Sequence, residues 1–167
     1  VPIAEYNLFR AIQTNLQILG IKIKGSPCSF EGAITPFPQQ FGNGSVPLTL
    51  RPTQLQQSTL YEEWIGILPS PRMRDNFIRC QHLFSVTDLC ADLLGGLMGR
   101  ENDFDAGILV WSDPWDPSGW EVTEGFLKKW GFLIEGCVDL FQSTNRWRYL
   151  RGEVPLFPEL KQFVEEI

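Results

Sequence analysis

The stretch Ser118-Gly-Trp-Glu-Val-Thr-Glu-Gly-Phe-Leu-Lys-Lys-Trp-Gly-Phe-Leu-Ile-Glu-Gly-Cys-Val-Asp-Leu-Phe141 carries the most regular pattern in the chain. Within it Phe126, Trp130, Leu133, Ile134, Cys137, Val138 and Phe141 recur at helical spacing. An α-helix turns once every 3.6 residues, so these side chains fall on one face and need something to bury against. Ser118 and Glu121 stand three apart ahead of the stripe, the spacing of a capping box. Glu121 is therefore expected to cap the helix. Gly131 and Gly136 mark the points where the rod would break, because glycine weakens a helix interior.

The same periodicity recurs on both sides. From Pro2 to Leu19 the apolar series Leu8, Ile12, Leu16 and Leu19 predicts a helix, with Asn15 near its buried face and Gly20 as its stop. Thr53 can cap a short helical start that runs to Gln57. Leu60, Tyr61, Trp64, Ile65 and Leu68 form an apolar cluster before Pro69. Pro71 suits the first turn of a helix over Arg72 to Leu83. Phe84 to Met98 reads as another helix, with Ser85 and Asp88 at capping-box spacing and Gly95 and Gly96 weakening its end. Trp147 to Arg151 reads as a last turn or short helix that Gly152 ends, and a tail helix is expected from Glu159. The expected fold is all-α: an irregular single-domain bundle of about five or six helices. One short extended segment is allowed at Ile108 to Trp111.

The 167 residues suit one domain, residues 1–167, with enough length to bury a core. The chain starts at Val1, almost at once in a helical pattern, and reads as a piece excised from a longer protein. Between residues 24 and 53 the pattern disappears. Pro27, Gly32, Pro36, Pro38, Gly42, Gly44, Pro47 and Pro52 break any regular element, while Phe30, Phe37 and Phe41 argue against a free linker. That segment is expected to be either an ordered strap or a mobile loop. Six tryptophans and twelve phenylalanines need a core, an interface or both. The net charge of -6 argues against a general nucleic-acid binder, because phosphate contacts need concentrated Lys and Arg. Cys28, Cys80, Cys90 and Cys137 are sparse and irregularly spaced, which predicts free thiols in a reducing compartment. No apolar run approaches a membrane span.

Three groups of residues invite a functional reading. Trp111, Asp113, Trp115, Asp116, Trp120 and Glu121 could line a cleft for a small ligand or peptide, with Trp130 on the stripe behind them. The plainer account has Asp and Pro shaping a turn while Trp111, Trp115 and Trp120 plug the core. Asn145, Trp147, Arg148, Arg151 and Glu153 form the second group, with Arg146 beside them. Its arginines could hold a carboxylate or phosphate, or pair internally with Asp113, Asp116, Glu121 or Glu153. Arg72, Arg74 and Asp75 form the third, with Arg79, where a solvated, salt-linked helix face is the plainer account. Asp113 and Asp116 with an arginine clamp would be the hydrolase version, but two aspartates in one loop are a weak signal. No catalytic residue, metal site or cofactor is assigned. Cys80-Gln81-His82 offers two ligands where a closed zinc site needs four, and His82 is the only histidine.

The run Ile108-Leu-Val-Trp-Ser-Asp-Pro-Trp-Asp-Pro-Ser-Gly-Trp-Glu-Val-Thr-Glu-Gly-Phe-Leu-Lys-Lys-Trp130 resembles a fungal domain of unknown function, DUF3425. So do Ser143-Thr-Asn-Arg-Trp-Arg-Tyr-Leu-Arg-Gly-Glu153, Leu68-Pro-Ser-Pro-Arg-Met-Arg-Asp75 and the first helix ending Leu19-Gly20-Ile21. Ser112 departs from the glycine usual in that family. The resemblance implies a regulatory or interaction domain carboxyl-terminal to a basic leucine zipper, in a nuclear transcription factor. It implies a small metabolite or a protein partner, and a homodimer in the full-length protein. DNA would be contacted by the parent's basic region, which is absent here. A membrane partner is not expected. A hydrolase-like enzyme or a purely structural, dimer-supporting module are the alternative readings.

Overall fold

The computed structural model describes residues 3–22, 46–94 and 107–163. The domain is mostly α-helical, with one small antiparallel sheet. Helix α1 spans Ile3–Leu19 and buries Leu8, Ile12, Leu16 and Leu19 along the stripe predicted for it. A short 3-10 turn over Leu48–Leu50 precedes α2, Gln54–Ser58. Thr53 caps α2 through a reciprocal box: its hydroxyl accepts from the Gln56 amide at 3.2 Å, and its own amide donates to Gln56 Oε1 at 3.0 Å. The Tyr61–Leu68 cluster folds as a buried 3-10 segment, Glu63–Ile67. Helix α3, Pro71–Cys80, begins on Pro71 with Ser70 as its cap. Helix α4 covers Val86–Leu94, and Ser85 accepts from the Asp88 amide.

Strand β1 is Ile108–Val110 and β2 is Trp120–Val122. Their register pairs Ile108 with Val122, Leu109 with Glu121 and Val110 with Trp120. The extended segment allowed at Ile108 is therefore real, and the turn-rich loop after it closes a hairpin. The long stripe is not one rod. Helix α5, Glu124–Trp130, gives way to a 3-10 turn over Gly131–Leu133, and α6 runs Val138–Leu150. Gly136 sits at φ 71 between them, a left-handed conformation that a side chain would strain. The segment predicted as a separate final turn, Trp147 to Arg151, is the end of α6. The tail is a 3-10 helix, Pro158–Phe163, rather than an α-helix from Glu159.

Helix α1 packs on β1, on the 63–67 turn and on α4, while α6 covers β2 and the turn over 117–119. Of the expected strap, residues 46–53 are described: Val46 and Leu50 are buried. The rest, 24–45, lies outside the described residues, as do Gly95, Gly96 and Met98. Cys80 and Cys137 are free thiols. Burial pushes the Cys137 thiol up to about 12. Cys90 is disulfide-bonded, which corrects the expectation of free thiols throughout.

The largest correction concerns Arg74, expected on a solvated face. Its side chain is fully buried. Nε donates to Gln56 Oε1 at 2.8 Å, Nη1 to the carbonyls of Thr49 (2.8 Å) and Leu68 (2.6 Å), and Nη2 to Arg51 O at 2.8 Å. Burial pulls its pKa down to about 10, which leaves it protonated at neutral pH. Four neutral acceptors hold the charge, and Asp75 lies close enough to favour it while accepting the Thr53 hydroxyl at 2.6 Å. Arg72 stays exposed and reaches Glu135 O, and Arg79 is exposed. Asn76, on the same helix, donates to Leu133 O and Glu135 O. Replacing Arg74 with methionine keeps the length and strips the donors from the carbonyls of Thr49, Arg51 and Leu68, and leaves Gln56 Oε1 with the Thr53 amide alone. Urea unfolding of Arg74→Met should show a loss of about 3–5 kcal/mol. A loss under about 1 kcal/mol would contradict this account of Arg74.

Candidate functional site

In an extended strand successive side chains point to opposite sides. Glu121 therefore leaves β2 on the side away from Trp120 and Val122. Its carboxylate is 2 % exposed, so it requires partners. Arg151, just past the end of α6, supplies two: Nη1 to Oε2 at 2.8 Å and Nη2 to Oε1 at 2.6 Å. This fork is the geometry in which arginine binds carboxylate best. Trp111 Nε1 adds a third at 2.7 Å. Glu121 is thus a buried ion-pair residue rather than a helix cap. The cap of α5 is Thr123, whose hydroxyl accepts from the Phe126 amide at 3.2 Å.

Glu153 completes the cluster. It takes Arg151 Nε at 3.0 Å and lies 3.5 Å from Arg148 Nη1. Arg148 also donates to the Val154 carbonyl at 2.7 Å. The two carboxylates raise the Arg151 pKa above its ordinary value, mainly through the hydrogen bonds of Glu121. Trp111 is 46 % exposed, so it does not plug the core as expected. It stacks on Trp147 with ring centroids 5.7 Å apart, and the Arg151 guanidinium lies over its ring at 5.4 Å. Arg146 lies over the Trp147 ring. Trp147 Nε1 donates to Ser118 O at 2.8 Å.

The other aromatic and amide candidates fasten elements together. Trp120 is buried and donates to Pro114 O at 2.9 Å. Asn15, fully buried on α1, donates to the same carbonyl and to Ile67 O, both at 2.8 Å. Trp115 is half-buried, and its carbonyl accepts the Thr49 hydroxyl. Trp130 is buried and donates to Asp92 of α4 at 2.9 Å, which Lys129 also meets. Asn145 clamps the carboxyl-terminal segment: Nδ2 donates to Phe157 O at 2.8 Å and Oδ1 accepts from Phe157 N at 2.9 Å. Beside it Thr144 accepts from the Val122 amide at 3.1 Å, and Ser143 donates to Ser118 O and Trp120 O.

Asp113 is exposed, and Asp116 accepts from the Ser118 amide at 2.9 Å. Among the described residues no ion pair joins either aspartate to Arg148 or Arg151, which pair with Glu121 and Glu153 instead. Gly119 closes this loop tightly: a Cβ there would fall 2.4 Å from Ser112 Oγ and 3.2 Å from the Asp113 carbonyl. No group of three or more potential metal ligands occurs among the described residues, and no helix there is long and apolar enough to cross a membrane.

On the far side of β2 from Glu121 lies a cavity of about 50 Å³. Leu8 and Ile12 of α1, Met73 and Phe77 of α3, and Leu89 and Leu94 of α4 border it, with Ile108 and Trp120 closing the hairpin side. Its lining is wholly apolar. The sequence reading did not find this site, nor Gln56, Asn76 and Asp92. The apolar residues were legible as core, but a gap between them depends on how three helices and a hairpin meet.

The model of the family described as Domain of unknown function (DUF3425) matches residues 31–141, and the chain belongs to that family. No curated protein and no solved structure matches it.

Hydrogen bonds from Arg151 hold the Glu153 carboxyl below its ordinary value of 4.5. A carboxylate favoured by the fold keeps its pairing above its unfolded pKa and loses it as pH falls through the lower folded value. Carboxyl-carbon NMR should place the Glu153 midpoint below 4.5. In Arg151→Gln it should rise towards the ordinary value. Equal midpoints in the two proteins would contradict the pairing.

Proposed function

We propose that this DUF3425 domain is a regulatory sensor module that binds a small molecule in its apolar pocket. The observation that carries the reading is the cavity itself, bordered by α1, α3, α4 and the hairpin. A ligand there would touch most of the fold at once and bind only the folded chain, which is the physical requirement for a sensor. Strand β2 supplies a route outward. Trp120 walls the cavity, and the next residue, Glu121, anchors Arg151 and the Trp111–Trp147 stack.

The charged candidates support sensing over catalysis. Arg148 and Arg151 are engaged by carboxylates of the same chain, and Asp113 and Asp116 stand apart from them. A hydrolase would need those aspartates positioned against a free cationic clamp. The partly exposed Trp111 on its stacked partner favours a second reading, a platform for a protein partner, since aromatic side chains dominate binding hot spots. In the parent protein implied by the resemblance, the domain would act in the nucleus beside a basic leucine zipper. That zipper's basic region, not this acidic domain, would contact DNA. Dimerisation would belong to the full-length protein.

Native mass spectrometry of freshly purified protein tests this reading. A retained small molecule at one per chain is expected. If the protein carries none, and no compound in a broad metabolite panel raises its melting midpoint, the sensor reading is wrong.

A further inference from the structure

We infer that the cavity selects a purely hydrocarbon group: a short alkyl fragment, free or as the end of a larger molecule. This rests on the sensor reading above and names the chemistry that the site can accept. Fourteen side chains border the cavity, and none offers a hydrogen-bonding nitrogen or oxygen to it. Trp64 and Trp120 are the lining residues with a side-chain nitrogen or oxygen. Trp120 Nε1 is already committed to Pro114 O, and Trp64 Nε1 to Glu62. A hydroxyl, amide or charge enclosed there would lose its water and gain no partner. Water is disfavoured for the same reason, because an enclosed water needs two to four polar partners.

The pocket is deep but partly open. Leu8, Met73, Phe77, Leu89, Ile108 and Trp120 are each at most 3 % exposed. Val86 and Leu93 of α4 are the two lining residues that are only partly buried, which places access along that helix. At about 50 Å³ the space is about a third of the roughly 150 Å³ that admits benzene, so it takes the end of a chain and leaves the remainder in the open mouth. It suits a narrow chain better than a fused ring system. Met73, unbranched and flexible, allows the wall to follow the shape of a chain.

The test uses the whole 167-residue chain with n-pentane and with 1,5-pentanediol, which has the same carbon chain but polar ends. Methyl NMR reports occupancy at Ile12, Ile67, Leu89 and Ile108. Pentane should move these signals and, at about tenfold excess over its dissociation constant, raise the melting midpoint by about 3 °C. The diol should do neither. Val86→Phe, which adds volume at the accessible wall, should weaken pentane binding at least tenfold, on the order of 1.4 kcal/mol. Should that variant not fold, the comparison of pentane with diol on the unaltered protein still decides. Equal effects of pentane and diol, or pentane binding undiminished in a folded Val86→Phe protein, would overturn the inference. If pentane moves nothing while native mass spectrometry finds a retained polar molecule, the ligand class is wrong and the sensor reading survives. If pentane moves nothing, no molecule is retained and no compound in the metabolite panel raises the melting midpoint, both are wrong.

Discussion

The guanidinium of Arg74 is the contact on which the amino-terminal half of the domain depends. It lies fully buried on α3 and donates to Gln56, Thr49, Arg51 and Leu68, which belong to three separate stretches of chain. Those stretches are short helical turns and the links beside them. The planar fork of arginine offers five donors in fixed directions, which a lysine ammonium cannot reproduce. One side chain thus ties together short turns that are separate in sequence. The cost of burying its charge is offset by four short hydrogen bonds and by nearby Asp75.

A similar logic governs the carboxyl-terminal half. There Glu121 is the buried charge, and Arg151 and Trp111 satisfy it. Ser143, Thr144 and Asn145 on α6 serve the loop carbonyls, the β2 amide and the carboxyl-terminal segment in turn. These two stitched halves meet around α1, where Asn15 holds Ile67 and Pro114 together. The cavity lies beside that meeting point, where only apolar side chains face one another. A frame fixed by directional hydrogen bonds cannot relax inward to fill every gap, because each bond constrains the position of its element.

How much of this was legible from the sequence follows from the range of each interaction. The α1 stripe, the Thr53 cap and Pro71 at the start of α3 rest on neighbours within one turn, and the sequence spacing predicts them. Glu121 was misread because Ser118 and Glu121 have the spacing of a cap, while Thr123, two residues on, has the geometry of one. Arg74 was misread because Asp75 and Arg79 give it the look of a solvated face, whereas its acceptors lie up to 25 residues away. Among the candidate residues, Trp120 and Trp130 are core, but Trp111 is held outward by its bond to Glu121 and its stack on Trp147. The outward set of Trp111 and the burial of Arg74 are fixed by tertiary partners that local spacing does not reveal.

A polar frame surrounds an apolar-lined space in this domain, and that space is expected to be dry. A crystal structure determined under xenon pressure tests it most directly, since xenon is polarisable, apolar and strongly scattering. The account predicts a xenon atom bounded by Ile12, Phe77, Leu89 and Trp120, with the protein unchanged around it. Ordered water at that position, or side chains collapsed across it with no xenon present, would contradict the account.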